Sequence, residues 1–144
     1  MKNPTVAQRL NEIASLMEFD GEPFFKIKAY ERAARSIEDS QTPVEDLIAS
    51  GELQELPGIG KAISQKIDDI VNTGTCKYLD ELRAKFPPTI LELLRVPGIG
   101  AKTAVALYRE LGVSGLDDLR KSIEDGSISR LPRLGPKTIE NLKT

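Results

Sequence analysis

An eight-residue stretch that occurs twice constrains this chain more than any other feature. Gln54-Glu55-Leu56-Pro57-Gly58-Ile59-Gly60-Lys61 is echoed forty positions later by Leu94-Arg95-Val96-Pro97-Gly98-Ile99-Gly100-Ala101. In each copy proline fixes the entry to a turn, the glycines allow positive φ and close approach, and the isoleucine between them can anchor the turn in a core. Each copy also opens an amphipathic helix. Ile63, Ile67, Ile70 and Val71 share a face after the first, and Ala104, Leu107, Tyr108 and Leu111 share one after the second. Gly74 and Gly112 are the expected C-terminal stops. A weaker third copy, Leu131-Pro132-Arg133-Leu134-Gly135-Pro136-Lys137, carries Arg133 in place of the first glycine and is not assigned phosphate binding.

The remaining periodicity is also helical. Val6, Leu10, Ile13, Ala14, Leu16 and Met17 predict a helix over 5–19, broken by Asp20-Gly21-Glu22-Pro23. Ile27, Tyr30, Ala33, Ala34 and Ile37 line one side of a second over 24–37. Thr42-Pro43 reads as N-cap and first residue of a short third helix that Ser50-Gly51 ends. A further helix over 79–86 meets the stop Pro87-Pro88, after which 89–94 is helical again. No stretch alternates β-branched and aromatic residues, so no sheet is expected. The fold class is all-α: two small helical subdomains, 1–86 and 87–144, each with a helix-hairpin-helix motif.

Composition narrows the chemistry. Hydrophobic residues make up 40% of the chain and aromatics only 5%, so the core must come from Ile, Leu, Val and Ala. Cys76 is the single cysteine and histidine is absent, which excludes an intramolecular disulfide, a cysteine-built metal site, and Ser-His or Cys-His catalysis. No apolar run reaches bilayer length, so the expectation is a cytoplasmic monomer without a membrane partner. A net charge of -2 argues against indiscriminate polyanion binding. The cationic share nevertheless rises along the chain: residues 101–144 carry 8 Lys/Arg against 6 Asp/Glu, whereas 1–50 carry 6 against 9.

Where the second glycine of each copy begins a helix, unpaired backbone N–H groups and the positive end of the helix dipole converge. Such a terminus suits an anion, and a phosphate can approach closely where there is no side chain. The candidate DNA contacts are therefore Gly58, Gly60 and Lys61 in the first hairpin, and Gly98, Gly100, Lys102 and Thr103 in the second. Contacts of this type read no base edge, so they should be nearly independent of sequence.

The block Phe25-Lys26-Ile27-Lys28-Ala29-Tyr30-Glu31-Arg32-Ala33-Ala34-Arg35-Ser36-Ile37, followed by two hairpins at this separation, resembles the N-terminal part of a family X DNA polymerase of the bacterial and archaeal type, related to DNA polymerase beta. The resemblance covers essentially the whole chain. It implies a lyase domain followed by a DNA-binding subdomain, acting on nicked, gapped or primer-template DNA in repair. It also implies a larger parent polymerase whose palm would hold Mg2+. No such palm is read before Thr144, and polymerisation by these residues is not expected.

By the same resemblance Lys66 is the family's Schiff-base nucleophile for removing a 5′-deoxyribose phosphate, and Lys26 and Tyr30 bind the phosphate. The residue pattern is compatible: with Ile63 and Ile67 facing the core, Lys66 lies beside that face, between Ile63 and Ile70, and a stem against apolar surface loses hydration. Two positions depart from the family. The glutamate that precedes the nucleophile in DNA polymerase beta is Gln65 here, and a further phosphate-binding lysine falls on Ala62, with Lys61 next to it. The resemblance further implies a monovalent cation, K+ or Na+, on the backbone carbonyls of Leu56 and Ile59 and of Val96 and Ile99. Two other readings stay open at this level: a DNA-binding module in which Lys66 is inert, and a helical protein-interaction domain whose glycine turns are connectors.

Overall fold

The structure, a computed structural model, describes residues 1–131, and no strand occurs among them. Seven α-helices run α1 (Asn3–Asp20), α2 (Phe24–Asp39), α3 (Val44–Ser50), α4 (Lys61–Thr73), α5 (Lys77–Lys85), α6 (Ala101–Leu111) and α7 (Leu116–Glu124) among the described residues. Short 3-10 turns at Leu53–Glu55 and Ile90–Arg95 precede α4 and α6, and a third, Ser127–Arg130, follows α7. The chain divides into two compact units, Met1–Lys85 and Phe86–Thr144.

In the first unit α1 packs along α2 and also meets α4 and α5. Val6, Leu10, Ile13 and Met17 of α1 are buried with Ile27, Ala33, Ala34 and Ile37 of α2, and Ile67, Ile70, Leu79 and Leu82 complete the core. Burying each Val, Leu, Ile or Met among them stabilises the fold by about 1.5–3 kcal/mol. On the outside, Arg83 donates to both carboxylate oxygens of Glu12 at 2.6 and 2.8 Å, tying α5 to α1.

Helix α1 begins two residues before its expected start, because Pro4 fits a first turn whose N–H groups lack intrahelical partners. Asn3 then does work assigned by sequence to Thr42. Helix α3 has Pro43 at its N-cap position, and no side chain there caps it. Instead the Val44 N–H donates to Asn3 Oδ1 at 2.9 Å, while Asn3 Nδ2 donates to the carbonyls of Ile37 and Thr42 at 3.2 and 3.1 Å. Thr42 itself is held by the Ser40 hydroxyl. The capping group thus arrives from a helix about forty residues away.

The second unit is smaller and gathers Ile90, Leu93, Ala104, Leu107, Val113, Leu119, Ile128 and Leu131 into its core. Its opening segment, expected as an ordinary helix, is 3-10. Ile90 and Glu92 donate to Pro87 and Thr89 at 3.1 and 3.0 Å, three residues back, and the stretch is too short to recover the nucleation cost of an α-helix. Phe86 meets Tyr108 edge-on, with ring centroids 5.8 Å apart. Ahead of α7, Asp118 reaches back to accept from the Ser114 N–H at 3.0 Å and from its hydroxyl at 2.8 Å. Those bonds hold the Asp118 carboxyl below the usual carboxylate range. Apart from Leu131, the weak third copy lies outside the described residues. Among the described residues no helix is long and apolar enough to cross a membrane.

Candidate nucleic-acid interface

The two repeats adopt the same backbone. Gly58 and Gly98 have φ of +81° and +91°, a region that favours glycine. Gly60 and Gly100 have φ of -90° with ψ of -175° and 179°, extended backbone open to any residue, and they stand at the N-caps of α4 and α6. Positive φ, expected of both glycines in a pair, therefore belongs only to the first. The Ile59 N–H closes the turn on the Leu56 carbonyl at 3.2 Å, and Ile99 closes the other on Val96 at 3.1 Å. Ile59 and Ile99 are 4% and 5% exposed, so each turn is pinned by one buried side chain while its glycines face solvent.

Gly60 and Gly100 stand in open space. A Cβ at either position would meet nothing within 4 Å, so no packing inside the molecule demands its absence. The first helical hydrogen bonds are those of Ser64 to Gly60 and Ala104 to Gly100, both 2.9 Å. The N–H groups ahead of them have no side-chain cap at either helix start. Lys61 and Lys102 are exposed beside these termini, and Thr103 is half-buried.

The hairpins differ in what stands behind them. A Cβ on Gly58 would lie 2.6 and 2.7 Å from Cδ and Cγ of Arg32, whose stem covers the turn from α2. One helical turn further along α2, the Ser36 hydroxyl donates to the Pro57 carbonyl. Gly98 has nothing comparable within 4 Å.

The carbonyls expected to hold cations partly fit that role. Leu56 and Val96 each accept one N–H bond within the turn, and a carbonyl oxygen has two lone pairs, so one remains on each. Among the described residues no cluster of three His, Cys, Asp or Glu side chains forms a metal site, so a cation here would depend on backbone oxygens.

Lys66 lies on α4, half-buried. Its Nζ is 5.6 Å from the centroid of the Tyr78 ring. Tyr78, from α5, in turn lies 6.1 Å from Tyr30 of α2, with the two rings tilted by 36°. Tyr30 is 8% exposed, and burial raises its phenol pKa, with smaller contributions from Tyr78 and Cys76. Burial likewise raises the Tyr78 phenol, helped by the charges of Glu22, Asp20 and Glu81. Lys66 and Tyr30 are thus brought to one aromatic residue that the sequence reading did not single out. Lys26 is exposed and pairs with Glu22, 3.8 Å away, instead of joining that contact. The signal that could have found Tyr78 was its rarity, since the chain has three tyrosines and no tryptophan.

At the start of α2, Phe24 and Phe25 are 68% and 70% exposed, with Lys28 Nζ 5.1 Å above the Phe24 ring.

Residues 1–76 match the helix-hairpin-helix domain, and residues 90–144 match the SAM-like helix-hairpin-helix tandem. The chain is similar to DNA polymerase/3′-5′ exonuclease PolX of Bacillus subtilis (strain 168), 29% identical over 99% of this chain and 24% of that protein. It is also similar to DNA polymerase lambda of Arabidopsis thaliana, 33% identical over 81% of this chain and 21% of that one. DNA-directed DNA/RNA polymerase mu of Homo sapiens is 29% identical over 83% of the chain and 23% of its own length. The chain therefore spans between 21% and 24% of the length of these relatives.

Proposed function

Because this chain belongs to the helix-hairpin-helix domain family and is homologous to family X DNA polymerases, we propose that its two hairpins grip successive stretches of DNA backbone as part of a repair polymerase. The observation that carries this reading is the pair of uncapped helix starts behind Gly60 and Gly100, where a side chain would meet only open space. An anionic phosphate completes such a terminus through main-chain N–H groups and the helix dipole. Lys61 and Lys102 add charge, and K+ or Na+ on the free lone pairs of Leu56 and Val96, with Ile59 and Ile99, adds more. Binding should be sequence-independent and should weaken steeply with salt. A labelled-duplex titration at two salt concentrations tests this, and a salt-insensitive or sequence-selective complex refutes it.

The exposed pair Phe24-Phe25 beside Lys26 and Lys28 favours DNA with unpaired bases, because aromatic faces flanked by cations suit base stacking. Gapped DNA should therefore bind more tightly than the intact duplex.

The half-buried Lys66 on its aromatic neighbour supports lyase chemistry. Lys66 Nζ attacks the C1′ aldehyde of an opened abasic sugar and water leaves, forming an imine. Loss of a C2′ proton to solvent then expels the phosphate at C3′, and hydrolysis of the imine frees the amine. Borohydride trapping on abasic DNA, wild type against Lys66→Ala with affinity measured in parallel, tests it. Equal crosslinking by the variant assigns the chemistry to another amine, and none by either protein leaves a binding module.

A further inference from the structure

We propose that Tyr78 is the positioning residue for the Lys66 amine, its ring face holding the side-chain nitrogen first as ammonium and then as protonated imine. This rests on the lyase reading above and adds to it the group that steadies the positive charge. Lys66 Nζ stands 5.6 Å from the Tyr78 ring centroid, within the range at which a cation is drawn to an aromatic face. The ring is itself backed by Tyr30, 6.1 Å away, which is buried and so fixed in place. Glu22, Asp20 and Glu81 lie close enough to Tyr78 to disfavour its ionisation, so the ring that faces Lys66 stays a neutral phenol. No ion pair holds Lys66 among the described residues, so the ring is the contact that orients it.

The same platform has opposite effects on two reactions. It stabilises the ammonium, which is inert, and so slows attack by Lys66 on a small acylating agent. It also fixes the nitrogen in place for the aldehyde of a bound abasic sugar, and so speeds imine formation and the elimination that follows, a constraint a small diffusing reagent does not feel. Removing the ring should move the two rates in opposite directions, each by about two- to fivefold, the range of a partly exposed cation–aromatic contact. A residue with only a packing role would not produce opposed changes.

The experiment uses the full chain with Tyr78→Leu, Tyr78→Met and Tyr78→Phe, each checked for folding by circular dichroism; Leu and Met both keep apolar bulk should one of them fold poorly. Competitive labelling with acetic anhydride, read at Lys66 by peptide mass spectrometry, reports the free amine without any DNA. Single-turnover cleavage and borohydride trapping on abasic DNA report the imine. The expected result is faster Lys66 acylation and slower elimination in the Leu and Met variants, with Tyr78→Phe unchanged in both because it keeps the ring. Unchanged acylation in the Leu and Met variants overturns the platform even where lyase activity is present. Loss of activity in Tyr78→Phe assigns the role to the hydroxyl and also overturns it. Absence of trapping by the wild type overturns the lyase reading, and with it the imine half of this proposal.

Discussion

Replacing Gly60 and Gly100 by aspartate should make the protein more stable and nearly abolish its hold on DNA. Both glycines sit at N-caps in extended backbone, with open space where a side chain would go. Aspartate is among the best N-cap residues and gains a few tenths of a kcal/mol over glycine there. That net figure already contains the narrowing of the unfolded chain and the attraction of the carboxylate to the positive end of the helix dipole. A few tenths of a kcal/mol per site is an upward shift of about 1–3 °C in the melting temperature of either unit. The same carboxylate occupies the N–H groups that phosphate needs and repels what it displaces. Losing one charge-assisted contact costs about 1.5–3 kcal/mol, or about ten- to a hundredfold in affinity for each hairpin. Thermal unfolding by circular dichroism and fluorescence anisotropy with a labelled gapped duplex measure the two effects on the same samples. A more stable double variant that binds like the wild type would refute the assignment of these termini to phosphate, and a destabilised one would refute the cap geometry.

Other consequences can be checked singly. Alanine at Gly58 or Gly98 should cost about 1–2 kcal/mol in denaturant unfolding, because both hold positive φ; Gly58→Ala should cost more, and Arg32→Ala should recover the excess. The Asp118 carboxyl, lowered first by the Ser114 hydroxyl and then by its N–H, should titrate below an ordinary aspartate in carbon-detected NMR. Its contribution to stability is present above the unfolded aspartate pKa and disappears as pH falls through the folded value. Tyr30, raised by burial, should stay protonated above pH 10, and stability should fall as the solution is made more alkaline than that, since the unfolded chain releases its proton first.

The hairpins were legible because their determinants are local. Proline, glycine and one apolar residue in sequence fix a turn, and Ile59 and Ile99 occupy the buried positions their spacing implied. Helix faces were legible for the same reason, although Ile63 and Val71 are only half-buried where Ile67 and Ile70 are fully so. What escaped was every feature made by residues distant along the chain. The cap on α3 comes from Asn3, and Tyr78 meets Lys66 across the turn after Gly74; no periodicity encodes either contact. Positive φ was expected of Gly60 and Gly100 as of Gly58 and Gly98, but their φ is ordinary, and a Cβ at either would meet only open space.

The unequal bracing of two matching turns also bears on how each can drift. At position 98 a substitution is opposed by backbone conformation alone, so asparagine, which tolerates left-handed geometry, is reachable in one step. At position 58 the same change also collides with the stem of Arg32, so it becomes acceptable only after position 32 has shortened. Lineages should therefore lose the second glycine turn singly and the first only in company with α2, which makes the first hairpin the slower of the two to change.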